Sequence, residues 1–246
     1  RRSSDLQWIL EVVSKGYCLE FETCLPPTVF RITPAGPSSG PLMLEVQKLI
    51  RKNAIEPVAG RARDGFFRTI FLTPKKTGGS RPILILRPLN RHLVNKYFRM
   101  DHLGSIVKCL DVDLWAVSID LTDAYLHIPI RENHMKFLRF ALSNGAIYQF
   151  RCLCFGLRTA PRVFTKVMAV LAAIMRIRGV TMFQYLDDWL LVHRNKDKLM
   201  SQLRDLVRLA TSLGLIINWE KSDIVPSRQF VYLGVQLDRK STRLNS

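Results

Sequence analysis

The chain has 246 residues, of which 48% are hydrophobic and 23% are charged, a composition typical of a globular protein with a sizeable core. Its 37 lysine and arginine residues outnumber its 20 aspartate and glutamate residues, which gives a net charge of +17. The longest apolar run, Val167 to Met175, falls far short of the roughly 20 residues that a membrane-spanning helix needs, so a transmembrane protein is excluded.

The cysteines form neither the paired framework of a disulfide-rich secreted domain nor a zinc-binding pattern. We therefore expect free thiols in a reducing compartment. The N-terminal residues 1–4 are followed by no apolar stretch of the kind found in a signal peptide. The sequence accordingly predicts an intracellular protein, cytoplasmic or nuclear, that is not secreted. The cysteines are Cys18, Cys24, Cys109, Cys152 and Cys154.

The first elements in chain order are a leader and a helix. Residues 1–40 mix a short apolar stretch with several prolines and the run Ser38-Ser39-Gly40, which predicts an irregular leader that ends in a linker. Helical spacing of apolar residues follows, and Pro57 ends that helix. The apolar positions are Leu42, Val46, Leu49 and Ile50.

Residues 66–72 and 83–86 are predicted to form two strands joined by a flexible turn, residues 77–80. Twelve basic residues lie between residues 51 and 99, where only Glu56 and Asp64 oppose them. Aromatic residues are interleaved with them, and this combination suits a polyanion whose bases can stack. A solvated basic face, or binding to an anionic membrane surface, is the alternative interpretation.

The second half of the chain predicts a sheet with two long helices. A short amphipathic helix over residues 103–110 precedes a strand of alternating apolar residues that ends at Asp120. A helix over residues 161–178, a hairpin around residues 182–192, a helix over residues 199–213 ended by Gly214, and a strand over residues 215–218 follow. Phe164, Met168, Leu171 and Met175 form the predicted core stripe of the first long helix, and Leu199, Leu203, Leu206, Ala210 and Leu213 that of the second. This order is typical of a ferredoxin-like split βαβ sheet.

Three carboxylates are expected at one end of this sheet. Asp187 and Asp188 lie at the centre of the predicted hairpin, and Asp120 ends a strand that we expect to lie beside it. Adjacent carboxylates repel one another unless a cation neutralises them, and two-metal sites for phosphoryl transfer have such ligands. An ordinary turn is the alternative reading of the Asp-Asp pair alone.

The sequence around these carboxylates resembles that of reverse transcriptases. Residues 120–125 (Asp-Leu-Thr-Asp-Ala-Tyr) are similar to their first catalytic motif, residues 155–164 to their second, and residues 185–188 (Tyr-Leu-Asp-Asp) to their third. Residues 75–82 and 87–90 resemble the fingers hairpin, and Lys221 and residues 232–234 resemble two further motifs. The sequences of residues 125–130 and 160–166 are most similar to those of DIRS-group retrotransposons, which carry tyrosine recombinases.

The resemblance implies an α+β right-hand polymerase fold. It implies fingers over residues 41–112, a palm of ferredoxin-like type over residues 113–238 with interleaved fingers helices, and a largely absent thumb. We expect residues 239–246 to be a disordered or non-native tail. The implied activity is RNA-directed DNA polymerisation, in which two Mg²⁺ ions, or Mn²⁺, add dNTPs to a primer on an RNA or DNA template. RNase H, recombinase or integrase domains are expected elsewhere in a retrotransposon polyprotein.

The resemblance also assigns roles to single residues. Metal ligands would be Asp120, Asp187, Asp188 and the carbonyl of Leu121, with Lys221 as a general acid. Incoming nucleotide would contact Lys75, Lys76, Arg81, Asp123, Ala124, Tyr125, Phe155 and Gly156, and primer or template would contact Arg87, Asn90, Leu233 and Gly234. Tyr125 would exclude a 2′-hydroxyl, or else be a core aromatic; the lysines and Arg81 would otherwise form an exposed basic turn.

Two positions depart from the family pattern. Cys154 replaces the usual proline before Phe155-Gly156, and Ile85 replaces a commonly polar or acidic residue. Neither departure removes a metal ligand. The alternatives to an active polymerase are a decayed or incomplete polymerase fragment that only binds nucleic acid, and an unrelated basic structural protein.

Overall fold

The structure, a computed structural model, describes residues 2–22, 40–58, 65–75, 78–98, 100, 104, 106 and 113–237. Its α-helices are α1 (Arg2–Lys15), α2 (Gly40–Arg51), α3 (Arg87–Asn90), α4 (Glu132–Met135), α5 (Ala160–Ile177) and α6 (Lys196–Ser212). Its strands are β1 (Ile55–Pro57), β2 (Ile70–Pro74), β3 (Ser80–Leu84), β4 (Trp115–Asp120), β5 (Arg139–Ala141), β6 (Ile147–Phe150), β7 (Thr181–Tyr185), β8 (Asp188–His193), β9 (Asp223–Ser227), β10 (Phe230–Tyr232) and β11 (Val235–Leu237). Ala124–His127 and Lys136–Leu138 form 3₁₀ turns.

The chain divides into two compact units, and each is built from two separate segments. Unit 1 comprises Arg1–Lys96 and Tyr125–Pro161, and unit 2 comprises Tyr97–Ala124 and Arg162–Ser246. Among the described residues, no helix combines the length and the apolar character that crossing a bilayer requires.

Unit 1 contains two antiparallel sheets. Strands pair in the order β1-β6-β5 in one, and β2 pairs with β3 in the other. Helix α2 buries three of the four predicted apolar residues, Leu42, Val46 and Leu49, whereas Ile50 is 41% exposed. The expected pair of strands around a basic turn is confirmed, although it spans Ile70–Pro74 and Ser80–Leu84 rather than residues 66–72 and 83–86.

Unit 2 contains the sheet β7-β8-β4-β9, in which every neighbouring pair is antiparallel. The first strand of this sheet in chain order, β4, therefore lies between β8 and β9, as the predicted ferredoxin-like order requires. Helix α6 packs on β4, β8 and β9 through the buried Leu199, Leu203, Leu206 and Ala210. Helix α5 buries the whole predicted stripe, Phe164, Met168, Leu171 and Met175.

Four predictions are wrong. Helix α2 ends at Arg51, and Pro57 instead ends strand β1. Residues 2–15 form helix α1 instead of an irregular leader; Leu6, Leu10 and Val13 repeat with helical spacing but are exposed, whereas Val12 is buried. Residues 215–218 form no strand, because Ile217 makes only an isolated bridge to Leu121. Leu213 is 59% exposed, since α6 ends at Ser212 before that position can reach the core.

Several predictions lie outside the described residues. They concern Lys76, the linker over residues 23–39, most of the helix predicted over residues 103–110, and the tail over residues 239–246.

Candidate active site

The central sheet of unit 2 brings two of the predicted carboxylates side by side. Asp120 is the last residue of β4 and Asp188 the first of β8, and the two residues are direct partners in the antiparallel register. Directly opposed residues project their side chains on the same face of a sheet. Asp187 precedes Asp188 in the two-residue loop that joins β7 to β8. The prediction that the strand ending at Asp120 lies beside the Asp187 hairpin is confirmed.

The loop that carries Asp187 is held in an uncommon backbone conformation. Leu186 has φ of +52°, a region that costs a non-glycine residue about 1–3 kcal/mol. The buried Trp189 donates a hydrogen bond from Nε1 to the Leu186 carbonyl (3.0 Å), and the Leu121 N–H donates to the Asp187 carbonyl (3.0 Å). These two contacts fix the loop against its own strand and against the end of β4.

Burial and repulsion by neighbouring carboxylates make Asp188 and Asp120 weaker acids. Burial, then Asp187 and Asp120, raise the pKa of Asp188 to about 6, against the opposing effect of Lys221. Burial also raises the pKa of Asp120, and Asp187 contributes in the same direction, while Lys221 and a hydrogen bond from Asn218 lower it. The protein therefore does not fully stabilise the negative charges of Asp188 and Asp120. A cation bound beside them would supply the missing stabilisation.

The turn before β9 supports Asp120 in a way that the motifs do not predict. The Asn218 N–H donates to the Asp120 carbonyl (2.9 Å), and the Asp120 N–H donates to Ser222 Oγ (3.0 Å). Ser222 Oγ in turn donates to the Asn218 carbonyl (2.7 Å). Lys221, which lies in the same turn, is exposed. Only its resemblance to the family motif singled out this turn; Asn218 and Ser222 were not predicted.

The carboxylate oxygens suit a magnesium site in which the protein supplies only some of the ligands. In the part of the chain that the structure describes, no three His, Cys, Asp or Glu side chains converge to hold an ion. Mg²⁺ commonly binds through one or two carboxylates and completes its shell with water and substrate phosphates. Asp120 and Asp187 or Asp188 supply such hard oxygen donors, so the residues present fit Mg²⁺ or Mn²⁺.

The residues that follow Asp120 turn sharply out of the strand. Asp123 has φ of +51°, and the buried Ala124 begins the 3₁₀ turn that continues through Tyr125. Asp123 and Ala124 belong to unit 2, whereas Tyr125 belongs to unit 1. The boundary between the two units therefore falls within the first motif.

Unit 1 brings three of these residues into contact. The rings of Tyr125 and Phe155 lie 5.1 Å apart in a tilted arrangement. The guanidinium of Arg81 lies over the Phe155 ring, with Cζ 4.4 Å from its centre. Arg81 and Lys75 are exposed on the β2–β3 hairpin, where the Lys75 N–H donates to the Gly79 carbonyl (3.0 Å).

Gly156 and Asn90 join the second motif to helix α3. Asn90 Nδ2 donates to the Gly156 carbonyl (2.8 Å), and Asn90 Oδ1 accepts from the Arg158 N–H (3.0 Å). The Leu84 N–H donates to the Phe155 carbonyl (3.1 Å), which draws β3 close to the same segment. Asn90 is therefore engaged within the protein, whereas Arg87, at the start of α3, is exposed. The contact between Arg158 and Asn90 was not predicted from the sequence.

Leu233 and Gly234 form the two-residue loop between β10 and β11. Both have positive φ, +51° and +80°, as a tight hairpin turn of the type I′ class requires. The preceding Tyr232 is buried and donates from its hydroxyl to the Asp188 carbonyl (3.0 Å). This hairpin therefore contacts the backbone of β8 at the carboxylate end of the sheet.

Comparison with known proteins places this architecture in a family. A family model described as reverse transcriptase (RNA-dependent DNA polymerase) matches residues 73–237. Protein P of duck hepatitis B virus (isolate white Shanghai duck S31) is 31% identical over 147 residues, which cover 58% of this chain and 18% of protein P. The retrovirus-related Pol polyprotein from transposon 412 of Drosophila melanogaster is 25% identical over 186 residues, which cover 73% of this chain and 14% of the polyprotein.

A solved structure shows the same fold. The foamy viral protease–reverse transcriptase in complex with double-stranded DNA superposes with a TM-score of 0.75 over 96% of this chain and 39% of its own, at 17% identity. The predicted α+β palm-and-fingers fold is thereby confirmed, while the DIRS-group assignment stays a prediction. The chain spans less than a fifth of the two curated relatives described above. With the matched residues covering most of its length, the chain belongs to the reverse transcriptase (RNA-dependent DNA polymerase) family.

Proposed function

We propose that the chain is the polymerase part of a retroelement polyprotein and extends a primer with dNTPs on an RNA or DNA template. The observation that carries this proposal is the register pairing of Asp120 with Asp188 at the end of the sheet, with Asp187 in the adjoining loop. Both elements fall within the family match. RNase H, recombinase or integrase domains would lie elsewhere in the polyprotein, and the protein would act inside the cell.

Asp120 and Asp187 would hold two Mg²⁺ ions, with Asp188 and the Leu121 carbonyl as further ligands. Such ions, when bound, activate the primer 3′-hydroxyl and neutralise the charge on the leaving pyrophosphate. Asn218 and Ser222 position the Asp120 backbone, and the Trp189 hydrogen bond positions the loop of Asp187. Lys221, whose charge already acts on Asp120 and Asp188, would donate a proton to pyrophosphate.

Other residues would bind the incoming nucleotide, the template and the primer. Arg81, Lys75 and Lys76 would bind the triphosphate, together with the backbone N–H groups of Asp123 and Ala124. Tyr125, packed on Phe155, would limit the space beside the sugar, and Gly156 would allow a close approach to the base pair. Arg87 would contact template, Asn90 would position the Gly156 segment, and the Leu233-Gly234 turn would support the primer.

Primer extension on poly(rA)/oligo(dT) with Mg²⁺ tests the activity. Asp187→Asn is expected to lower the extension rate by at least about 10²–10³-fold, the effect of removing one preorganised electrostatic contact from a transition state. Asp205→Asn, which removes an exposed carboxylate from α6, is the matched control and should extend like wild type.

Two outcomes would contradict the proposal. Equal loss of extension in both variants would mean that charge in general, and not this site, controls the rate. A wild-type chain that binds the duplex without extending it would instead be the nucleic-acid-binding fragment that is the alternative function.

A further inference from the structure

Unit 1 contains an open cleft of about 590 Å³ whose lining includes none of the residues assigned above to nucleotide, primer or template. One wall is the N-terminus of α4 with the 3₁₀ turn that follows it, and the other is the β5–β6 pair. The cleft is lined by Arg131, Glu132, Asn133, Lys136, Arg139 and Gln149.

The lining is cationic and rich in hydrogen-bond donors. Three basic side chains face one carboxylate, that of Glu132, which is exposed. Arginine can bind phosphate oxygens in a bidentate manner, and lysine supplies a point charge. None of the lining residues is aromatic or aliphatic, so the cleft offers phosphate contacts but no surface on which a base could stack.

The side chain of Arg139 is oriented by an amide of the cleft lining. Arg139 is 8% exposed, and its Nε donates to the neutral Gln149 Oε1 (2.9 Å). Gln149 Nε2 donates to Glu56 Oε1 (2.8 Å), and the other oxygen of Glu56 lies 3.3 Å from Arg151 Nε. Glu56 is thus shared between Gln149 and Arg151, which fixes the floor of the cleft before any ligand binds.

Arg131 and Lys136 supply two of the three basic side chains of the lining. The positive field also reaches His134 in the same turn, because burial, then Arg131 and Lys136, lower the pKa of its imidazole.

We propose that this cleft is a second phosphate-binding site, which holds the sugar–phosphate backbone of a nucleic-acid strand outside the polymerase site. Its volume lies in the range of about 300–1,000 Å³ for ligand sites, and its open form suits a strand that passes through it. This inference rests on the nucleic-acid binding in the proposed function, but not on the polymerase chemistry.

The test is the salt dependence of binding, measured by fluorescence anisotropy with a labelled RNA–DNA primer–template in the absence of divalent cations and dNTPs. Each phosphate contact contributes about 0.9 to the slope of log Kobs against log[NaCl]. Arg131→Gln/Lys136→Gln is expected to reduce that slope by about 1–2 and to weaken binding about tenfold at low salt. Lys15→Gln/Lys48→Gln removes the same charge from exposed positions of unit 1 and should leave the slope nearly unchanged.

The charge-retaining variant Arg131→Lys/Lys136→Arg should keep the wild-type slope. If the double glutamine variant fails to fold, as its thermal unfolding would reveal, Lys136→Gln alone decides, with an expected loss of about 1 in slope. An unchanged slope, or an equal loss in the Lys15→Gln/Lys48→Gln control, overturns the proposal.

A second arm separates a strand from a free polyphosphate. Tripolyphosphate binding is measured by calorimetric titration. The assignment to a strand is overturned if the Arg131→Gln/Lys136→Gln variant loses this binding while its salt-dependence slope for the primer–template stays unchanged. Cleft-dependent binding by a chain that extends no primer would support this proposal and contradict the polymerase activity.

Discussion

Gly156 occupies a position where no larger residue fits. An added Cβ would lie 2.0 Å from the Leu84 carbonyl oxygen, and the backbone φ is +103°. We expect Gly156→Ala to destabilise unit 1 by roughly 3 kcal/mol or more, because backbone strain and overpacking each cost about 1–3 kcal/mol. Urea unfolding would measure the loss.

Gly145 is the matched control for this substitution. It also has positive φ, +83°, but a Cβ there would meet no atom within 4 Å. Gly145→Ala should therefore cost only the backbone strain, about 1 kcal/mol. Equal losses in the two variants would show that close approach to Leu84 is not what requires glycine at position 156.

His134 gives unit 1 a defined pH dependence. Its Nδ1 accepts from the Leu19 N–H (3.2 Å), so in the neutral ring Nε2 carries the hydrogen and faces Cys18 Sγ at 3.2 Å. Burial, Arg131 and Lys136 lower the pKa of the imidazole below its usual 6.5. The unfolded chain thus binds more protons than the folded one below that pH, and stability should decrease as pH falls from about 6.5.

Thermal unfolding between pH 7.5 and 5.5, on the order of one unit to either side of the ordinary histidine pKa, would measure this effect. The His134→Gln variant should show a smaller decrease in unfolding temperature than wild type across that interval. His92→Gln removes an imidazole elsewhere in unit 1 and should leave the wild-type slope unchanged. A slope unaltered by His134→Gln would exclude this residue as the cause.

At the scale of elements, Asn90 holds helix α3 to the segment that follows Phe155. Asn90→Asp keeps the oxygen that accepts from the Arg158 N–H but replaces the donor to the Gly156 carbonyl with a second oxygen. We expect a loss of about 0.5–1.5 kcal/mol, the net contribution of one hydrogen bond, because water can reach the exposed Gly156 carbonyl. Asn144→Asp, which preserves the acceptor for the Ala146 N–H in an exposed turn, should change stability by less than about 0.5 kcal/mol.

The elements that the sequence predicted are those with one buried face. Trp115, Val117 and Ile119 alternate up to Asp120, and residues 164, 168, 171 and 175 repeat with helical spacing, so burial follows from local order. In helix α1, Leu6, Leu10 and Val13 repeat with helical spacing but are exposed, and the apolar Ile216 is 60% exposed as well. In both places the apolar pattern was a poor guide to what the fold covers.

The candidate site was predictable only where a single segment carries the chemistry. The motifs located the three aspartates, because a carboxylate pair between apolar strands is visible in the sequence. Asn218 and Ser222 reach Asp120 from about 100 residues away, and Arg158 meets Asn90 across 68 residues. Such contacts depend on which segments the fold brings together, and no local periodicity encodes them.

At the scale of the whole molecule, unit 1 depends on a segment that follows part of unit 2 in the chain. Tyr125–Pro161 supplies β5 and the central strand β6, on which β1 pairs. A polypeptide of residues 1–161 should therefore unfold cooperatively in urea, whereas one of residues 1–124 should not, since Ile55 and its neighbours would lack their partner strand. Cooperative unfolding of the shorter polypeptide would contradict this division.

The same interleaving sets an order of events on the ribosome. Residues 97–161 take roughly 3–13 s to synthesise at about 5–20 residues per second. During that interval β1 has left the peptidyl-transferase centre without the strand that will pair with it. Its open edge and the apolar face of α2 would be surfaces on the nascent chain that a chaperone could shield from neighbouring polypeptides.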